Sequence, residues 1–137
     1  MATTASLKAL TPEAKVSLSG SILEISRFPF RVGRESRIGH TPDYHNSRRN
    51  PDSVLNNDLY LRETKPPLNV SREHFQIERR NAEFLLVDRG SACGTLVEGV
   101  TVGGDRAGGQ QRLENGDVIV VGTSVSPHVF KFIINGR

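Results

Sequence analysis

The sequence predicts an all-β protein, a sandwich or barrel built from short strands. Three observations carry that prediction. No stretch sustains the 3.6-residue apolar period of a long amphipathic helix, runs of five to eight residues rich in Val, Ile, Leu, Phe and Tyr recur, and turn-forming segments separate them.

Taken in order, the start MATTASLKALTPEAK is polar, so residues 1–15 predict a flexible tail with at most a helical turn after Thr11-Pro12. The domain is expected over 16–137. Its first strand candidate is SILEISR (21–27). Residues 35–56, ESRIGHTPDYHNSRRNPDSVLN, are polar, contain prolines and lack periodicity, which predicts a long loop insertion. A structureless segment of that size in a compact domain is uncommon and is usually functional or disordered. NDLYLRE (57–63), HFQIERR (74–80), EFLLVDR (83–89), GDVIVVG (116–122) and HVFKFIIN (128–135) are the remaining strand candidates. In HFQIE, Phe75 and Ile77 share one face and Gln76 and Glu78 the other, the two-residue period of a half-buried strand. Phe130, Phe132 and Ile134 likewise share a face. RNAE, GSACG, GGDRAGG and ENG supply the turns between.

Composition narrows the function. A chain of 137 residues with 36% hydrophobic and 24% charged residues is long enough to bury roughly 68–70% of its unfolded surface in one domain, and too apolar for general disorder. No apolar run approaches the ~18 residues of a membrane span and the N-terminus is too polar for a secretory core, so a cytoplasmic location with no membrane partner is expected. The single cysteine, Cys93, excludes an internal disulfide framework. The net charge of +3 rests on arginine, with Arg27, Arg31, Arg34, Arg37, Arg48, Arg49, Arg62 and Arg72 falling between residues 27 and 72. Guanidinium recognises phosphate and carboxylate with paired donors, so this bias suits an anionic partner.

Three polar clusters stand at strand ends: RVGRE (31–35), NVSREH (69–74) and DRGSACGT (88–95). Loops at one end of a sandwich gather on one rim, where such folds usually bind. Gly33-Arg34, Ser71-Arg72-Glu73-His74, Asp88-Arg89-Gly90-Ser91 with Gly94-Thr95, and Leu113 with Gly116-Asp117 together resemble the motif set of the forkhead-associated (FHA) domain family. Matches run from about residue 17 to 135. The resemblance implies an SMAD/FHA-like β-sandwich of two mostly antiparallel sheets with binding loops at one rim. It also implies a non-catalytic module that docks phosphothreonine-bearing proteins in Ser/Thr kinase signalling, without a cofactor or metal.

In that family the arginine of the Gly-Arg pair and the serine ahead of the histidine touch phosphate, and an arginine after the serine often does so too, which assigns contact to Arg34, Ser71 and Arg72. The histidine braces the serine loop, so His74 is expected to be structural, with Gly33, Gly94 and Thr95 shaping the loops. The chain departs from the pattern where members often carry a hydroxyl residue and an asparagine that grips the peptide main chain. Those peptide-facing positions are Ala92 and Cys93 here, and the thiol is a weak substitute for an amide that both donates and accepts. Glu98-Gly99 replaces the usual Asn-Gly further on. Arg37, Arg48 and Arg49 in the insertion are candidates to compensate.

Other readings have less behind them. His40, Asp43 and His45 fit no helical ligand spacing and no further ligand is evident, which argues against a metal. GSACG lacks the nucleophile-elbow pattern and no histidine is tied to Cys93, which argues against catalysis. A pI near 9.4 suits nucleic acid, but acidic residues are interspersed and aromatics are only 6%, leaving little for base stacking. The closest rival keeps the fold and makes the domain a phosphorylation-independent assembly or interaction module.

Overall fold

The structure, a computed structural model, describes residues 4–36 and 56–136. The chain forms β1 (Thr4–Ala9), α1 (Pro12–Leu18), β2 (Ile22–Ile25), β3 (Phe30–Arg34), β4 (Leu59–Leu61), β5 (Phe75–Arg80) and β6 (Glu83–Asp88). It continues through β7 (Thr95–Val97), β8 (Val100–Val102), β9 (Gln110–Leu113), β10 (Val118–Val121) and β11 (Val129–Asn135). Two sheets face each other: a six-stranded sheet ordered β2-β1-β11-β10-β7-β8 and a five-stranded sheet ordered β4-β3-β5-β6-β9. Every described pairing is antiparallel except β3 with β4. This is the expected β-sandwich.

The two-residue period decides what lies between the sheets. Phe75 and Ile77 of β5, Phe84 and Leu86 of β6, Ile119 and Val121 of β10, and Phe130 and Phe132 of β11 are all buried, and their odd-one-out neighbours face outward or lie half-covered. Phe84 meets Phe132 across the sheets with ring centroids 5.4 Å apart in a tilted edge contact, an arrangement aromatic rings favour. Complete burial of each such side chain stabilises the fold by roughly 1.5–3 kcal/mol of transfer free energy. Tight hairpins keep the register. Glu98 and Gly99, both at positive φ (49° and 81°), close β7 onto β8 as two-residue turns of this hand require.

The expected tail is corrected. Residues 4–9 form β1, which pairs on one side with β11 from Thr4↔Asn135 to Ala9↔Phe130 and on the other with β2. Ala5, Leu7 and Ala9 are buried, so the segment has the alternation of a strand, written in alanine and leucine rather than β-branched residues. The helical turn after Thr11-Pro12 is a seven-residue helix. The Thr11 side chain accepts the Ala14 amide at 3.1 Å, Pro12 occupies the first turn where its missing N–H costs nothing, and Ser19 ends the helix in the left-handed region at φ 57°.

The expected insertion at 35–56 falls mainly on residues 37–55, and with it Arg37, His40, Asp43, His45, Arg48 and Arg49, which lie outside the described residues. On its far side the chain is fixed to β3. Asp58 accepts the Arg31 amide at 2.9 Å and the Arg31 Nε at 3.1 Å. Burial works against the charged form of Asp58, but the Arg31 hydrogen bonds and charge outweigh it and hold the carboxyl below its ordinary range.

Candidate functional site

One end of the sandwich collects the end of β3 and the loops β4–β5, β6–β7, β8–β9 and β10–β11. They are tied to one another by hydrogen bonds rather than merely adjacent. The β3–β5 edge comes first: the Arg34 amide donates to the Ser71 carbonyl at 2.9 Å, and Arg34 Nε donates to the Val70 carbonyl at 3.1 Å. These bonds leave both terminal guanidinium nitrogens of Arg34 without a partner among the described residues. The guanidinium is therefore aimed by the loop it serves. Gly33 makes this approach possible, because a Cβ there would overlap the Arg72 carbonyl.

His74 holds the serine loop from beneath. It is fully buried; its Nδ1 accepts the Ser71 amide at 2.9 Å, and its Nε2 lies 2.7 Å from the Gly94 carbonyl. A carbonyl only accepts, so Nε2 carries the proton and Nδ1 is free to accept, the neutral tautomer. Burial pushes the His74 pKa down, partly offset by the Gly94 bond and by the charges of Asp88 and Glu63. One imidazole thus joins the β4–β5 loop to the β6–β7 loop.

The β6–β7 turn is built on Asp88, whose carboxylate accepts the amides of Gly90 and Ser91 at 2.8 and 3.0 Å and the Ser91 hydroxyl. Ser91 Oγ in turn accepts the Gly94 amide at 3.0 Å. Gly94 has φ 78°, with the β8–β9 loop backbone directly against it, a position that suits glycine. Thr95 begins β7 fully buried, its hydroxyl without a hydrogen-bond partner among the described residues. Between the two loops, the Ala92 amide donates to Ser71 Oγ at 3.0 Å. This uses one lone pair of the hydroxyl, and its proton has no acceptor among the described residues.

Ala92 itself is exposed and carries no polar side chain. Cys93 is half-buried, with Sγ 3.7 Å from the Leu68 carbonyl, so the thiol is turned toward the neighbouring loop.

Beside Ser71 lies an open cleft of ≈ 470 Å³ lined by Ser36, Asn56, Ser71, Arg72, Glu73, Arg89, Gly90 and Arg106. The structure therefore brings Ser71 and Arg72 into the cleft and places Arg34 against the same loop. Arg34, Ala92 and Cys93 do not line it. Two arginines were missed as site residues by sequence reasoning. Arg89 stands at the unspecified second position of the Asp88-Arg89-Gly90-Ser91 motif and is given no role there. Its Nη1 donates to Asn57 Oδ1 at 2.6 Å and its Nη2 to the Asn56 carbonyl at 3.0 Å, while Asn57 Nδ2 donates to the Arg72 carbonyl at 2.7 Å. Arg106 lies in GGDRAGG, which reads as a plain turn. No sequence signal links it to the rim, because its place depends on backbone bonds from Asp105 to Ala92 and from Arg106 to Ser91, each 2.9 Å.

A two-sheet β-sandwich with an arginine- and serine-bearing rim is an interaction module in architecture. The chain belongs to the FHA domain family: the family model matches residues 30–122. Among solved structures it is similar to the FHA domain of CT664 protein from Chlamydia trachomatis (19% identity, TM-score 0.57, covering 98% of each chain). It is similar to full-length yeast Pml1p (20% identity, TM-score 0.63, covering 96% of this chain and 82% of that one). A third likeness is to Mycobacterium tuberculosis EmbR in complex with a low affinity phosphopeptide (20% identity, TM-score 0.58, covering 95% of this chain and 24% of that one). At these identities the likeness establishes the fold. No curated protein sequence matches at a significant level. Family membership supports a phosphopeptide-binding interaction module rather than an enzyme.

Proposed function

We propose that this chain is a phosphothreonine-dependent docking module, non-catalytic and cytoplasmic, that captures proteins phosphorylated by a Ser/Thr kinase. The observation that carries the reading is the joint placement of Arg34 and Ser71. One backbone hydrogen bond of 2.9 Å locks them together, and among the described residues the guanidinium keeps two uncommitted nitrogens and the hydroxyl an uncommitted proton beside the cleft. Arg72 adds a second fork on the same wall.

A phosphothreonine brings about −1.5 to −2 charge and three acceptor oxygens, which this donor set complements. Charge-assisted hydrogen bonds contribute about 1.5–3 kcal/mol each. Three of them account for much of the ~8 kcal/mol of a micromolar complex, even with the cost of association conceded. A preference for phosphothreonine over phosphoserine rests on burying one γ-methyl, worth about 0.8 kcal/mol as transfer and about 1–3 kcal/mol in a shaped pocket.

The second reading is phosphorylation-independent binding of a protein surface, and Ala92 with Cys93 favours it. Ala92 offers no side-chain donor and Cys93 points at Leu68, so the peptide main chain loses a grip that asparagine would give. Nucleic acid is the weakest reading, since Glu73 shares the cleft wall with the arginines. The deciding experiment titrates pools of matched phosphothreonine, phosphoserine and unphosphorylated peptides onto the wild type and onto Arg34→Ala. Phosphate-dependent docking requires that affinity collapse without the phosphate and in the variant. Equal binding of phosphorylated and unphosphorylated pools overturns it.

A further inference from the structure

The cleft beside Ser71 holds more positive charge than one phosphate needs. Among the described residues, Arg72, Arg89 and Arg106 line it against the single carboxylate of Glu73. They are not equivalent. Arg89 is the fixed member: its side chain is 14% exposed, pinned by Asn57 and the Asn56 carbonyl, with Glu73 3.8 Å away. Arg72 and Arg106 are exposed and have no side-chain partner among the described residues. Arg106 is nevertheless held in place at its backbone, with φ 59° and its amide on the Ser91 carbonyl. This joins the β8–β9 loop to the turn that carries Ala92, whose amide bonds Ser71. The cationic lining is therefore shared by two loops, Arg72 next to Ser71 in sequence and Arg106 on the loop bonded to Ser91, around a volume of the size of a small-ligand pocket rather than a single ion.

We propose that the Arg106 end of this cleft binds a second phosphorylated residue of the same partner segment, so that the preferred ligand is doubly phosphorylated. The inference rests on the phosphothreonine reading of Ser71 and Arg34 and extends it. A dianion fits better than a lone carboxylate because the Arg106 guanidinium has no partner among the described residues and Arg offers phosphate a planar pair of donors.

The test uses the full chain and peptide pools with a fixed phosphothreonine and degenerate flanks. One pool carries no second phosphate, and the others carry a phosphoserine, or a glutamate, stepped one residue at a time along either side. The expected result is at least about tenfold tighter binding at a particular spacing for the second phosphate, with a smaller gain for glutamate. Arg106→Gln should bring the ratio of doubly to singly phosphorylated affinity down to about one, and in the wild type that ratio should shrink with added salt. Binding of the single-phosphate pool with no gain at any spacing, or a gain that survives in Arg106→Gln, overturns this inference alone. A glutamate gain equal to the phosphate gain also overturns it, in favour of a general acidic subsite. Single-phosphate peptides binding no better than unphosphorylated ones overturn the underlying reading as well.

Discussion

The Cα of Gly33 lies against the carbonyl of Arg72 so closely that no side chain fits between them. The Arg72 carbonyl is itself the acceptor for Asn57, so the β4–β5 loop is clamped between a strand that must be bare and an amide that must reach it. Backbone on backbone leaves no flexible atom to yield.

Gly33→Ala is therefore expected to push the Ser71 loop outward. Overpacking of this kind costs about 1–3 kcal/mol, read as a lower denaturant midpoint with an unchanged slope. Phosphopeptide affinity should fall as well, since the loop that moves carries Ser71 and Arg72. A variant with wild-type stability and affinity would show that the contact relaxes freely.

Asn57→Ala removes the amide that joins Arg72 to Arg89. It strands the Arg72 carbonyl and one Arg89 donor in a buried setting, for an expected loss of about 1–3 kcal/mol. Thermal unfolding followed by circular dichroism checks it. A shift in Tm no larger than that of a surface substitution would mean that water takes over both bonds.

His74 and His128 make stability depend on pH. Burial is the largest influence on both and lowers both pKa values, with Glu63 opposing it at His128. The unfolded chain, with ordinary values near 6.5, then binds more protons than the folded one as pH falls. Stability is fully present above about 6.5 and is lost as pH drops from there toward the folded-state values. Denaturant unfolding between pH 7.5 and 5.5 should show the decline, and His74→Gln should flatten part of it. A pH-independent midpoint across that window would contradict the buried neutral tautomer.

Ser71→Ala separates folding from binding. Among the described residues its hydroxyl accepts only the amide of exposed Ala92, so the expected stability change is within about 1 kcal/mol. Phosphopeptide affinity is expected to fall at least about tenfold, as one charge-assisted bond is worth. Calorimetric titration against the same peptide on both proteins measures it, and undiminished affinity would remove Ser71 from the phosphate contacts.

Truncation of residues 1–9 should unfold the protein, although the sequence reads that stretch as a tail. β1 is an interior strand whose loss leaves β2 without a partner and bares one edge of β11. An exchange-resistant amide pattern surviving in the truncated chain would sink the expectation.

What was legible in the sequence follows from how strongly each segment states its period. The runs at 74–80, 83–89, 116–122 and 128–135 are rich in β-branched and aromatic residues, and each contains a strand. β1 was hidden because Ala5 and Ala9 carry the buried positions, and alanine has little strand preference. β3 holds a glycine, β7 and β8 are three residues each, and β9 buries only Leu113. Pairing partners, not local composition, make these strands. The same holds for the site. Arg34, Ser71 and His74 could be picked out because their motifs are contiguous. Arg89 and Arg106 enter the cleft through tertiary hydrogen bonds that leave no mark in a linear reading.

The pairing of the first strand with the last has a geometric consequence. β11 starts from the rim that carries Ser71, just after His128, and ends at Asn135, where Thr4 lies directly opposite. Chain joined at either of these positions would emerge from the pole remote from Ser71. A fused label, surface tether or neighbouring domain placed there would leave an approaching partner unobstructed, and tension applied between the two attachment points would part the β1–β11 ladder one rung at a time from that pole inward.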